Sequence, residues 1–371
     1  MKASHKNKIR VGLIGVGNWA RYGHIPALQS LKDSYTITAV SSRKISKAQE
    51  LAKSFDIPHA FADPQELIEH PEVDLVAVLP PAPEHAALSR KAIRAGKDVY
   101  SEWPLTTSTK DSEELLSLAE AASVGHLVGL QRRIGESARY LKDLLASGYI
   151  GDLRSVRMQV SMDYFGPVRT PALEWSLPAA NFSHVLSIYG GHYFDLLFHL
   201  VGAPSTVSGI AASQFPRLAL SETGESFPNE NPDAVLAQGR LIDGGLYSVQ
   251  IEGGKQNNSG LQIDFTGTDG DLRVTNGRLY GNPTDNQILG AQGSGKALEV
   301  LPVPEEYKLP VVSGLDASVQ DLVYLYAAHA KRNEVGGHSA PGFFEAVRLH
   351  RFIDAIGRSS DSGQTQSVDW R

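Results

Sequence analysis

The sequence predicts an α/β chain in two parts. The first, residues 1–130, is a doubly wound parallel sheet; the second, residues 131–371, is an α+β domain built on a large, mostly antiparallel sheet. Three observations carry this. An apolar run, Val11, Leu13 and Ile14, stops at a glycine cluster, and a helix-like stretch follows it. Strand-like and helix-like stretches alternate up to about residue 130, the mark of parallel crossovers. Beyond that point strands follow one another without intervening helices, as in an antiparallel sheet with one free face.

The glycine cluster reads Gly15-x-Gly17-x-x-Ala20. Gly15 makes the tight turn, Gly17 lets backbone approach a pyrophosphate, and Ala20 lets the helix sit close on the strand. The phosphates would lie at the helix N-terminus, beside Asn18 and Trp19, where free N–H groups and the helix dipole favour negative charge. The null alternative is a glycine turn without a ligand. Its place after the first strand favours a nucleotide and makes this part a Rossmann domain.

The elements follow in order. Residues 35–40 read as a second strand and 46–55 as a helix; 59–61 and 64–69 read as a short strand and a helix. Residues 75–79 are continuously apolar, as in a strand covered on both faces. A helix over 86–95 ends at Gly96, a strand spans 98–101, a helix 110–122 and a sixth strand 127–130. In the second part, 153–162 alternates as a strand and 188–201 reads as a helix. Several strands lie between 207 and 279, and helices over 316–331 and 342–357 close the chain. Residues 281–298, rich in Gly, Asn and Gln, are expected to form a loop.

Composition narrows the function. At 371 residues and 42% hydrophobic content, two domains with real cores are expected. A net charge of −6 argues against nucleic acid as a partner, which needs a basic face. With no cysteine there is no disulfide, thiolate nucleophile or cysteine metal site. No apolar run approaches a membrane span, and no signal-like segment precedes the first strand, so a soluble cytoplasmic protein is expected. No metal site is expected either, since the sequence holds no His-x-x-x-His helix or carboxylate cluster.

The nucleotide is read from the corner after the second strand. An NAD-selective domain carries an acidic residue there for the ribose 2′-OH. This chain has Ser41-Ser42-Arg43-Lys44, so Ser42 and Arg43 favour NADP over NAD, unless the two cations merely solvate a loop.

The chain resembles the glucose–fructose oxidoreductase / inositol dehydrogenase (Gfo/Idh/MocA) family. Besides the fingerprint, the resemblance rests on Pro81-x-x-x-His85, Glu102-x-Pro104, Gln131-Arg132-Arg133, Gly148-x-Ile150-Gly151 and Gly190-x-His192-x-x-Asp195. It implies a substrate domain whose sheet often mediates homodimers or higher homo-oligomers, and a small-molecule or sugar ligand. It implies that Pro81, His85, Glu102 and Trp103 line the cofactor, with His24 and His85 flanking it. It also implies that Trp103, Arg132, Tyr189 and His192 face the substrate, with His192 as the catalytic acid/base. Tyr164, Trp175 and Tyr189 could offer stacking surfaces to a sugar ring.

Two departures stand out. Trp103 occupies the position of the family's catalytic lysine, and Ile188 that of its aspartate. Indole N–H donates only and does not titrate, so Trp103 can stack or hydrogen-bond but cannot carry a proton. It could equally be core packing, and His192 could equally be structural. Trp19-Ala20-x-x-x-His24-x-Pro26-Ala27, Glu102-Trp103 and Gly267-Thr268-x-Gly270-Asp271-Leu272 resemble the branch of yeast galactose-pathway repressors. Two readings therefore stand: an NAD(P)-dependent oxidoreductase, or a catalytically silent NAD(P)-binding transcription regulator with a protein partner.

Overall fold

The computed structural model describes residues 8–257, 260–277, 286–332 and 339–370. It divides into two compact units, Met1–Ile134 with Leu309–Val347, and Gly135–Lys308 with Arg348–Arg371.

The first unit runs β1 (Ile9–Ile14), α1 (Ile25–Ser30), β2 (Tyr35–Ser41), α2 (Ile45–Ser54), β3 (His59–Phe61), α3 (Pro64–Glu69), β4 (Leu75–Val78), α4 (His85–Arg94), β5 (Asp98–Ser101), α5 (Thr109–Ala122) and β6 (His126–Val128). The six strands form one parallel sheet in the order β3-β2-β1-β4-β5-β6. The order reverses between β1 and β4, and in open sheets of this kind ligands bind outside the strand ends at that switch point. All four residues of β4 are buried, as helices on both faces require. Local signals set the helix ends. Asp63 accepts the Gln65 N–H at 2.8 Å with Pro64 at the first helical position, and Ser108 accepts the Asp111 N–H at 3.1 Å. Gly96, with φ +70°, follows the end of α4.

The rest of the chain runs α6 (Glu136–Ala146), β7 (Leu153–Ser161), β8 (Val168–Arg169), α7 (Gly191–Val201), β9 (Thr206–Ala212), β10 (Arg217–Leu220), β11 (Ser226–Pro228), β12 (Ala234–Arg240) and β13 (Leu246–Glu252). It continues through β14 (Gly260–Gly267), β15 (Gly270–Asn276), β16 (Gln287–Gln292), β17 (Glu299–Val300), α8 (Ala317–Ala330), α9 (Phe343–Ser362) and β18 (Gln366–Ser367). Nine strands form a sheet in the order β17-β16-β15-β14-β7-β13-β12-β9-β18. Its ladders are antiparallel except β7 with β13. One face is core: Met158, Val249, Ile251, Ile263 and Phe265 are buried there. The other carries Arg157, Gln159, Gln238, Gln250 and Arg273 around an open hollow of about 780 Å³.

Two expectations change. The stretch 281–298, read as a loop, contains β16, paired with β15 from Gln287 to Gln292; residues 281–285 lie outside the described ones. Gly290 is there for packing, since a Cβ would fall 2.8 Å from Leu301 and 2.9 Å from Leu272 and Tyr149. The second change concerns α8, which the sequence reading places with residues 131–371. Its Val319, Leu322, Val323 and Tyr326 are buried in the core of the first unit with Leu28, Tyr35 and Tyr100. Among the described residues no helix is long and apolar enough to cross a membrane.

Candidate functional site

The glycine turn follows β1 directly. Gly15 has φ +98°, a left-handed conformation, and its N–H donates to the Ser41 carbonyl at 3.0 Å. A Cβ on Gly15 would stand 3.2 Å from the Pro80 backbone nitrogen, so the turn fits closely against the end of β4. At Gly17 a Cβ would meet nothing within 4 Å. The space in front of it is open, and the glycine is not needed for packing within the protein. That is the opening a pyrophosphate requires, so this turn fits a dinucleotide. The helix begins at Asn18, and Ala20 is buried under it. A second observation agrees. Ser41 Oγ, at the end of β2, is buried and without a hydrogen bond among the described residues.

The helix does not stay α. Residues Ala20–His24 form a π-turn, in which the Ile25 N–H donates to the Ala20 carbonyl. This turn brings His24 and Trp19 to Glu102, which lies just past β5. One carboxylate oxygen, Glu102 Oε1, accepts from Trp19 Nε1 at 3.0 Å, His24 Nε2 at 2.5 Å and the Tyr100 hydroxyl at 2.9 Å. With His24 Nε2 donating, its Nδ1 takes a hydrogen bond from the Tyr326 hydroxyl at 2.8 Å. Burial pushes the Glu102 carboxyl upward, but the His24 and Tyr100 contacts outweigh it and hold its pKa below the usual value. Burial raises Tyr100 and Tyr326 well above the ordinary phenol value, so both stay protonated donors. Gly129 completes the arrangement: a Cβ there would fall 2.6 Å from Glu102 Oε2 and 2.7 Å from the Tyr100 hydroxyl.

Of the other expected cofactor residues, Ser42 and Arg43 form an exposed corner. The Ser42 N–H donates to the Phe61 carbonyl at 3.1 Å, and Ser42 Oγ accepts the Lys44 N–H at 3.3 Å. The Arg43 side chain is 86% exposed and 3.9 Å from Glu84, a pairing too solvated to hold it. Pro81 precedes the short turn Ala82–Glu84 that leads into α4. His85 is different. Its two ring nitrogens lie 2.7 Å from the Pro104 carbonyl and 2.6 Å from the Pro80 carbonyl, in a buried position. Burial lowers its pKa against the pull of those carbonyls. The imidazole ties β4 to the segment after β5, and neither nitrogen is left for a nucleotide. Trp103 is 6% exposed.

Arg132 lies on the short turn Gln131–Ile134, half-buried. In the second unit, Leu186–Gly190 forms another π-turn, with the Gly190 N–H on the Val185 carbonyl at 2.9 Å. It leads into α7, whose second residue is His192, 8% exposed. Tyr189 is buried, with its ring edge-on to Phe165 at 5.5 Å; Tyr164 and Trp175 are exposed. The sequence reading missed Tyr100, Tyr326 and Gly129. No local pattern announces them, since Tyr326 is 302 residues from the histidine it contacts.

Residues 9–130 match the Gfo/Idh/MocA description "Oxidoreductase family, NAD-binding Rossmann fold", and residues 137–276 match the Gal80p C-terminal domain. A dehydrogenase, aclE, of Aspergillus oryzae is 27% identical over 97% of this chain and 98% of its own. The galactose/lactose metabolism regulatory protein GAL80 of Saccharomyces cerevisiae is 24% identical over 97% and 94%. In fold, the chain is similar to levoglucosan dehydrogenase in complex with NADH and L-sorbose. The TM-score is 0.87 at 20% identity, covering 98% of this chain and 99% of that one. The matched segments, the parallel sheet with its glycine turn and the large second sheet show together that the chain belongs to the Gfo/Idh/MocA oxidoreductase family, with a second domain of the Gal80p kind.

Proposed function

We propose that the protein is an NAD(P)(H)-dependent oxidoreductase acting on a sugar-like or other small carbonyl or alcohol, with NADP(H) preferred and His192 as its proton carrier. The observation that carries it is the open space before Gly17 beside the strained turn at Gly15, a cradle that serves a nucleotide and nothing within the protein. Asn18, Trp19 and Ala20 complete that cradle, Ser42 and Arg43 bind the ribose end, and Pro81 and Trp103 line the remainder. When bound, the nicotinamide supplies or accepts hydride. The residues of this chain supply the proton. In the reducing direction His192 gives an N–H proton to the carbonyl oxygen as the alcohol forms; in the oxidising direction neutral His192 takes the hydroxyl proton. Trp103 cannot do either. Glu102 is a positioning residue, because its Oε1 is already taken by Trp19, His24 and Tyr100. Arg132 and Tyr189 contact the substrate. The exposed Ile210, Leu236 and Leu246 on the second sheet support self-association through that face, and the absence of cysteine suits a cytoplasmic protein.

The replacement of the family's lysine by Trp103 and of its aspartate by Ile188 favours a second reading, a silent NAD(P)-binding regulator that acts on a protein partner. One experiment separates the two. The protein is mixed with NADPH or NADH and a panel of aldoses and ketoses, and absorbance of the reduced cofactor is followed. Turnover that drops roughly 10²–10⁴-fold in His192→Ala is the expected result. Full activity in that variant removes His192 from the mechanism. Tight nucleotide binding with no turnover on any substrate selects the regulator.

A further inference from the structure

Folding assembles a cluster that no sequence motif announces. His59 opens β3, the edge strand of the first sheet; His70 ends α3; Glu72 lies in the turn before β4. One ligand atom from each lies within 4.8 Å of the others. His59 Nε2 is 2.7 Å from Glu72 Oε2, and the two imidazole rings are 4.3 Å apart between centroids. Phe61 stacks on His59 and tilts against His70, which limits the swing of both rings. The backbone beneath is pinned: the Glu72 carbonyl accepts from the Thr38 hydroxyl at 2.7 Å, and the His70 carbonyl accepts the Val73 N–H at 3.1 Å.

We propose that His59, His70 and Glu72 form a binding site for a divalent transition metal, zinc foremost, with its remaining position open to solvent. Two imidazoles and one carboxylate are the donor set of zinc and its neighbours; magnesium and calcium require oxygen ligands. With ligand bonds of about 2.0–2.1 Å, donor atoms around tetrahedral zinc stand about 3.3 Å apart. The His59–Glu72 pair, now at 2.7 Å, therefore opens by about 0.6 Å as metal replaces the shared proton. His70 moves inward. Its Nδ1 accepts the Glu72 N–H at 3.2 Å, and either ring nitrogen can bind only if that contact is given up. The turn is exposed, so water takes its place. Arg10, the nearest cation acting on Glu72, is held away by Asp74 at 2.7 Å. The ligands come from β3 and from the α3–β4 turn, so a bound ion fastens the sheet edge to its neighbouring connection, as pinned backbone and restricted rings favour.

The test is calorimetric titration of the chelator-treated, full-length protein with zinc chloride, with magnesium chloride as control. One zinc per chain is expected at this site, with no magnesium heat. His70→Ala and Glu72→Gln should each weaken it at least tenfold while melting like the parent protein without metal. Cobalt(II) should give the strong visible absorption of a tetrahedral site, lost in both variants. His59→Gln gives a third check should either variant fold poorly. Undiminished zinc binding in these variants would assign the ion to others of the twelve histidines and overturn the proposal. No binding at millimolar zinc would overturn it too.

Discussion

Replacing Glu102 by alanine tests the hydrogen-bonded centre of the first unit. The change removes the acceptor of three donors at once. His24 and Tyr100 are fully buried and gain no water in exchange; Trp19 is half-buried and recovers part of its loss. A buried donor left without a partner costs about 1–3 kcal/mol, and three sharing one atom do not add fully, so about 3–5 kcal/mol is expected. Whole domains are stable by about 5–15 kcal/mol, so the variant should stand close to unfolding. Glu102→Gln keeps an oxygen in place and gives up only the charge, for about 1–2 kcal/mol. Urea unfolding followed by circular dichroism measures both, with the transitions of the two units fitted separately. The charge has a pH signature as well. A carboxyl with a lowered folded pKa contributes stability above its unfolded pKa and loses it as pH falls through the folded one. Glu102→Gln should flatten that acid limb. An alanine variant within about 0.5 kcal/mol of the parent would refute the shared-acceptor account. Equal losses for Gln and Ala would show that charge alone matters.

Further outcomes follow from single residues. Gly17→Val should abolish nucleotide binding in a fluorescence titration yet leave the melting temperature unchanged, because its Cβ meets no protein atom within 4 Å; normal binding would make the turn purely structural. Arg43→Ala should weaken NADP(H) by about 1.5 kcal/mol, roughly tenfold, and NAD(H) hardly at all; equal effects on both would refute 2′-phosphate recognition. His329 is buried in α8 with its pKa lowered to about 3, chiefly by burial and then by Arg332 and His126. The unfolded chain, titrating near the model value 6.5, binds that proton first, so stability should fall as pH drops below about 6.5 toward 3. The slope is at most about 1.4 kcal/mol per pH unit. His329→Leu should remove that component from a pH series of unfolding curves.

The parts of this fold that sequence shows are those written in neighbouring residues. Alternating segments announce the parallel sheet, and Gly15 and Gly17 announce the turn, because each of those constraints is local. Glu102 and His24 are visible as separate motif residues, but their meeting depends on Tyr326, brought in from α8 by tertiary packing. Likewise, nothing in the periodicity of α8 says which core it joins. Gly290 reads as a loop residue because a strand glycine and a loop glycine look alike until Leu272, Tyr149 and Leu301 are seen crowding it. His85 illustrates the reverse: its spacing suggests a ligand contact, while Pro80 and Pro104 absorb both nitrogens.

His24 and His192 each sit at the exit of a π-turn, Ala20–His24 and Leu186–Gly190. Such a turn is equivalent to an α-helix carrying one additional residue. Deleting a single residue inside either turn would let the helix close into regular α form with its ladder intact. Everything beyond would then be rotated by about 100°. His24 would leave Glu102, and His192 would face another direction, in a protein that still folds. The two histidines are therefore guarded by length as much as by identity, and one-codon deletions at these turns should silence the protein where many substitutions would not.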